Sequence, residues 1–510
     1  MFVVGALTSI FLVLAYVLHY RAKWAVAAYK RQLLEHGEKL KMEQLLPAPT
    51  PLESNGAPLF NQTTWKWNAG TNLLDKNSPL TMHMVAPGKA IVGWSQVDVS
   101  SDQTNTWAEV ESALAQYASN LDLVREAAER PIFDFQLNYH EGYNLRLPHL
   151  PALKRSIQVL ATAVLCDLHR GDVAAAGTNI QVILALIKAT GGEHFAISQL
   201  VRIAMAHISF AATWELLQSP NLTDDELATI QRCWTDLEFM ESVEQSLLLE
   251  RILTQMVIEQ IRNSSAQFRQ LLPQLSSGPA SSTFSFGPMA ESILGGFAVG
   301  AMEIRWRIFL SCPDELRTLK GYQTLLESVR MVRAGKSFHA AFSRQSERLA
   351  ELGLNAKNEE SGFGPSGQDL RFLFSQSVLS LTRMLNRVFA VEVSRELTIT
   401  VLALKRYQLR HGHYPDQLSA LVPEFIGAAR RDPADGQPLR YQHKPDGTFL
   451  LYSIGEDGVD NGGDASPLPR TLTQTSDFHW KSGRDLIWPS PATPQEIIAF
   501  REKKAKNRGQ

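Results

Sequence analysis

Residues 402–464 read LALKRYQLRHGHYPDQLSALVPEFIGAARRDPADGQPLRYQHKPDGTFLLYSIGEDGVDNGGD, and the change of period inside this stretch decides the fold. Up to Arg410 the apolar residues recur at helical spacing. Gly412 takes positive φ readily and Pro415 drives Tyr414 out of the helical region, so the helix ends there. Asp416–Val422 spaces Leu418 and Leu421 as one short helix, stopped by Pro423. Two strands are then predicted, Leu439–His443 and Thr448–Ser453, paired across the turn Lys444-Pro445-Asp446-Gly447. A small α+β module is thus expected over 401–488, followed by a basic tail over 489–510.

The second strand runs into Gly455-Glu456-Asp457-Gly458-Val459-Asp460-Asn461-Gly462-Gly463-Asp464. Hard oxygen donors on a glycine-rich loop suit Ca²⁺. The spacing of Asp457, Asp460 and Asn461 is not that of an EF-hand. The competing reading, which the bare spacing favours, is a surface turn held by its own side-chain-to-backbone bonds.

Upstream, residues 106–400 carry the helical period almost throughout and predict an irregular bundle or α-solenoid-like body. Ala152–His169 and Val173–Thr190 read as an antiparallel hairpin, with Gly171 ending one helix and Asp172 capping the next. Ala196–Leu217 is apolar nearly all round and should be buried, with Arg202 and His207 as its internal polar members. Thr223-Asp224-Asp225-Glu226 is a capping box. Met289–Ile304 is apolar but too short between Glu291 and Glu303 to span a bilayer. Serine- and glycine-rich breaks fall at 276–288 and 355–367. The second contains a formal GxGxxG, but no strand precedes it and Pro365 sits inside it, which rules out a dinucleotide loop.

At the other end, Phe2–Leu18 is 17 residues without a charge, enough for the short end of a membrane-crossing helix. Tyr16, Tyr20 and Trp24 stand where an interfacial aromatic belt would, and Arg21 and Lys23 can snorkel. Residues 1–23 are therefore read as an uncleaved anchor. Residues 24–105 follow as a basic helix, a Pro-rich spacer (LPAPTPLES) and an irregular strap, which Trp65, Trp67 and Trp94 pack onto the body. The basic residues after the span favour a cytoplasmic body, whereas basic residues upstream of Met1 would reverse that. The reading adopted is a single-pass protein of the bacterial inner membrane with its body outside the cytoplasm.

The net charge of −2 over 510 residues offers no basic field for nucleic acid. Cys166, Cys233 and Cys312 lack any zinc-ligand spacing and read as free thiols. No HExxH, GxSxG or P-loop occurs.

The motifs YQLRHGHYPDQLSALVP, DPADGQPLRY and FLLYSIGEDG, in that order, resemble the C-terminal half of the major pseudopilin of type II secretion systems. The resemblance covers about 65 residues and implies a small sheet with a calcium loop. It implies cation contacts from the Ile454 carbonyl, the Asp457 side chain and Asp464, with Asp460 as a substitute. The whole chain is also similar to large membrane-anchored proteins of environmental bacteria that end in the same module and a Trp-containing stretch, here Asp485-Leu486-Ile487-Trp488. The function expected is a membrane-anchored, non-catalytic envelope scaffold that binds a protein partner. The alternative is a membrane-anchored hydrolase built on the polar-aromatic loop Asn138-Tyr139-His140-Glu141-Gly142-Tyr143 with His149.

Overall fold

A computed structural model describes residues 2–46, 50–63, 79–99, 105–276, 303–354, 374–375, 377–467 and 484–508. Trp65, Trp67, most of the 276–288 and 355–367 breaks, and all but the last two residues of Met289–Ile304 lie outside the described residues.

α1 (Phe2–Glu35) is one unbroken helix that carries the apolar Phe2–Leu18 stretch straight into the basic extension. Then come α2 (Ala57–Asn61), strands β1 (His83–Ala86) and β2 (Lys89–Ile91), α3 (Trp107–Ala115) and α4 (Ala118–Ala128). The body proper is α5 (His149–His169), α6 (Val173–Ala189), α7 (Ala196–Leu217), α8 (Asp224–Thr235) and α9 (Phe239–Asn263). It continues through α10 (Ser265–Ser276), α11 (Ser311–Arg333), α12 (Phe338–Glu351) and α13 (Ser377–His411). Strands β3 (Arg440–His443), β4 (Phe449–Ser453), β5 (Leu486–Ile487) and β6 (Ser490–Pro491) precede α14 (Pro494–Arg508). The chain is mainly helical, as its periodicity predicts.

Local chemistry sets these boundaries. Gly171 turns at φ +80° after α5, and the Asp172 carboxylate accepts the Ala175 amide at 3.0 Å to start α6. The Thr223 hydroxyl accepts the Glu226 amide while the Glu226 carboxylate accepts the Thr223 amide, which closes the capping box of α8. α7 lies at the centre, with Phe210 and Trp214 fully buried and Phe210 stacked on Trp234 of α8 at 4.3 Å. Each such side chain removed from water contributes on the order of 1.5–3 kcal/mol. Arg202 is satisfied inside, donating to the carbonyls of Ile187 and Glu238 and to Ser242 Oγ.

By length and composition, Val173–Gly192 and Ala196–Leu217 could each cross a membrane. Both are mostly buried among the other helices, 61% and 67% of their apolar windows. Packing within the body therefore accounts for their hydropathy.

Among the described residues, two small sheets flank the helices. β3, β4 and β5 form an antiparallel meander, with Arg440 opposite Tyr452 and His443 opposite Phe449 as the hairpin signal predicts. The other sheet departs from the expected organisation, because β6 pairs in parallel with β2 and Lys89 lies opposite Ser490. The segment after Trp488 is thus no free basic tail. It returns to the N-terminal strap, anchored by the Trp214 indole donating to the Pro489 carbonyl at 2.8 Å. A two-residue strand has no alternation to read, so this closure left no trace in the periodicity.

A buried carboxylate of the body holds the described part of the strap from beneath. Glu215 of α7 accepts the amides of Met82 at 2.7 Å and Gly93 at 3.0 Å, while the Trp94 indole donates to the Glu215 carbonyl. Gly93 is obligatory, since a Cβ there would lie 1.8 Å from the Leu80 carbonyl oxygen. Burial pushes the Glu215 carboxyl up to about 8, against the pull of those amides.

Candidate functional site

The C-terminal module is organised by two aspartates and an arginine. Asp432, fully buried, opens the Asp432-Pro433-Ala434-Asp435-Gly436 turn and accepts the Ala434 amide at 2.9 Å. The same carboxylate accepts the Ser453 hydroxyl at 2.7 Å and the Ile454 amide at 2.9 Å, which fastens the end of β4 to the turn. Arg440 of β3 reaches Asp432 at 3.2 Å and Asp435 at 2.5 Å, and extends towards Asp460 at 3.4 Å. Burial raises the Asp432 carboxyl. For Asp435 burial opposes ionisation, but the Arg440 guanidinium outweighs it and lowers the carboxyl. The outer face of the turn completes α12, because its carbonyls at Pro433 and Ala434 accept the amides of Phe338 and His339. Those amides open the helix and have no partner within it.

Asp485, also buried, is the hub of the Gly/Asp loop. Its carboxylate accepts the amides of Asn461 at 3.3 Å, Gly463 at 2.7 Å and Asp464 at 3.2 Å. The glycines serve close approach. At Gly455 (φ +67°) a Cβ would lie 2.5 Å from the Arg484 carbonyl oxygen, and at Gly458 (φ +70°) 2.9 Å from the His339 ring.

The expected cation ligands are spread around this hub and do not converge. Asp457 accepts the Val459 amide and the Asn461 side-chain amide. Asp460 accepts the Tyr452 hydroxyl and the Gly462 amide, and the latter leads in lowering its carboxyl. Asp464 accepts from Ser466 and pairs with Arg484 at 3.1 Å. Ca²⁺ takes roughly six to eight oxygens at one point, and these residues do not fit that demand in this arrangement. Among the described residues no group of three or more His, Cys, Asp or Glu side chains could hold a metal ion.

No protein-family model, curated protein or solved structure matches this chain.

His140 and Glu141 lie exposed on a 3-10 turn, Tyr139–Asn144, where Glu141 accepts the Asn138 side-chain amide. His149 is elsewhere in character, buried and stacked on Phe135 at 3.9 Å, with Nε2 2.8 Å from Glu193 Oε2. Ser198 donates to the other Glu193 oxygen. With the carboxylate between hydroxyl and imidazole, the histidine cannot take the serine proton, so the order required for nucleophilic catalysis is absent from this trio. Tyr143 points its hydroxyl into the body, donating to Glu250 at 2.8 Å beside Thr254 and Tyr322. Burial raises the Glu250 carboxyl.

A cleft of about 400 Å³ opens where α7, α13 and the Gly/Asp loop meet. Leu200, Ile203 and Phe389 supply its apolar wall, while His207, Arg387 and Glu456 bring an imidazole, a guanidinium and a carboxylate to it. The cleft thus combines an apolar wall with polar and ionisable groups where the helical body meets the C-terminal module. Among the described residues its lining holds no serine, threonine or cysteine. Sequence reasoning marked His207 as an internal polar residue and missed its neighbours, since they come from three distant segments.

Proposed function

We propose that the protein is a membrane-anchored, non-catalytic scaffold of the bacterial envelope that presents a pseudopilin-like C-terminal module for contact with a protein partner. One observation carries the reading. α1 runs without a break from the apolar Phe2–Leu18 stretch to a segment fixed in the body by buried ion pairs, so that a bilayer span would be joined to the body by a strut. Glu38, just beyond α1, pairs with Arg251 of α9 at 2.9 Å and with Arg330 of α11, and accepts the Gln323 side-chain amide at 3.1 Å. Closer to the span, Lys30 pairs with Glu315 at 2.5 Å, and Val26 packs with Cys312 and Leu319.

The module is tied on by similar means. Arg406 and Arg410 of α13 pair with Asp224 at the start of α8, and Gln231 donates to the Phe425 carbonyl at 2.8 Å. A long helix beside an antiparallel β3–β4–β5 meander supports the pseudopilin-like reading of the module, and the cleft next to it is the recess offered to a partner side chain.

Alkaline-carbonate extraction of membranes bearing the full chain, with protease added to intact spheroplasts, tests the anchor and its orientation. The anchored protein stays in the pellet and its body is cleaved from outside. Release by carbonate removes the anchor, and a protected body reverses the orientation.

A further inference from the structure

We propose that the helical segment leading into α11, residues Glu303–Leu310, rests on the membrane surface beside α1 and binds anionic lipid headgroups. The proposal builds on the anchor reading above. His19, directly after the apolar Phe2–Leu18 stretch, has Nδ1 2.6 Å from the carbonyl oxygen of Ile308. If α1 spans the bilayer, Ile308 lies within one helical turn, about 5 Å, of the level at which the span leaves the hydrocarbon. The turn is wide, a π-helical Trp306–Leu310, and Trp306 is buried while Ile304 and Ile308 point outward, 59% and 46% exposed. Residues four apart share one face, so the two isoleucines form one apolar patch.

The same level carries the other groups that a headgroup region selects. Tyr16 and Tyr20 pack ring to ring at 4.3 Å on the open face of α1, and Trp24 is 70% exposed one turn further on. Amphipathic aromatic rings prefer this layer. Arg21 and Lys23, within one helical turn of His19 along α1, and Arg305, next to Ile304, are exposed and supply the charge complementary to anionic lipid, each worth on the order of 1 kcal/mol near such a surface. Water-facing isoleucines, aromatics and cations at one level, on a turn hydrogen-bonded to the end of an apolar helix, fit a lipid surface.

The full chain in nanodiscs, carrying single spin labels, tests this. Cys166 and Cys312 are buried, so replacing Cys233 by Ser leaves introduced cysteines as the labelling sites. Val13→Cys reports on the span, Ile304→Cys and Ile308→Cys on the patch, and Val97→Cys, at a residue 90% exposed, on water. Collisions with oxygen relative to those with a water-soluble nickel chelate should be highest at 13, intermediate at 304 and 308, and lowest at 97. Omitting phosphatidylglycerol should move 304 and 308 towards the value at 97. If 13 is lipid-like while 304 and 308 match 97, the patch is aqueous and this inference falls with the anchor intact. If 13 matches 97, the anchor reading itself falls. Labels at 304 and 308 shielded from both reagents mean a protein cover and overturn the lipid assignment, and no response to phosphatidylglycerol overturns the anionic preference.

Discussion

Replacing Glu38 by Gln removes the carboxylate that couples α1 to the body, and the cost follows from the structure. Glu38 and Arg251 are both buried, with side chains 3% and 0% exposed. Burial works against the Glu38 carboxylate, but Arg330, Arg251 and Gln323 overcome it and hold the carboxyl down to about 2 from 4.5. At about 1.4 kcal/mol per tenfold change, that drop corresponds to about 3 kcal/mol of stabilisation at neutral pH. Breaking a buried pair by removing one partner costs roughly 3–5 kcal/mol on independent grounds, so the two routes agree. The folded value lies below the unfolded one, so the stabilisation is complete above about pH 4.5 and is lost as pH falls towards 2. Hydrogen exchange over residues 36–46 of the full chain reads it locally. The substitution should speed exchange by about two orders of magnitude, the equivalent of 3 kcal/mol. Combining Glu38→Gln with Arg251→Met should cost less than the sum of the two singles, because the second change removes the stranded charge. Exchange within threefold of the wild type, or additive costs, would refute the claim that this pair is the strut.

Other parts of the fold make equally definite demands. Glu215→Gln should flatten the pH dependence of amide exchange at Met82 and Gly93. In the wild type a folded value near 8 against 4.5 unfolded means that strap stability falls as pH rises from about 4.5 to 8, and an unchanged slope in the variant would count against it. Asp485→Asn should lower the thermal midpoint more than Asp457→Asn, because Asp485 accepts three backbone amides, with a loss of about 1–3 kcal/mol; the reverse order would displace Asp485 as hub. Arg440→Met should cost about 3 kcal/mol by stranding the buried Asp432 carboxylate, read by denaturant unfolding followed at the module's aromatic residues. Millimolar Ca²⁺ against EGTA should leave the midpoint of the full chain unmoved, since the loop carboxylates already have partners; a rise abolished by Asp457→Ala would show that the loop rearranges to bind the ion.

Legibility tracked the range of the interaction. The helical hairpin around Gly171 and Asp172, the capping box at Thr223 and the β3–β4 pairing across Pro445-Asp446-Gly447 were readable because a few adjacent residues decide them. Arg440 looked like one more alternating residue of a strand, and Asp485 like part of a Trp-containing end stretch. Arg440 takes its role from carboxylates 5, 8 and 20 residues away, and Asp485 from amides 21 to 24 residues away around a loop. Glu38 and Arg251 are 213 positions apart, and β2 and β6 are separated by most of the chain. Nothing in a local window distinguishes a carboxylate that will be buried against a distant guanidinium from one on a solvated face. The Gly/Asp loop shows the same limit from the other side. Its composition suits a cation as well as a surface turn, the spacing favours the turn, and the partners that each carboxylate takes, with Asp485 accepting three amides, are those of a turn.

The choice of polar links at the joints bears on what the assembly is for. A purely apolar joint would bind as well per unit area, but its non-directional contacts tolerate sliding. Charge-assisted hydrogen bonds fix distance and angle together. Glu38 with Arg251 and Arg330 at the N-terminal joint and Asp224 with Arg406 and Arg410 at the module joint are of this kind, and the neutral hydrogen bond from Trp214 to the Pro489 carbonyl where the ends meet is likewise directional. Two of them are made by α13 and α7 themselves, the helices that line the cleft. A chain built to open and close around a substrate would place weak, sparsely bonded segments at such joints. Among the described residues the joints are the heavily bonded places, as the scaffold proposed above requires.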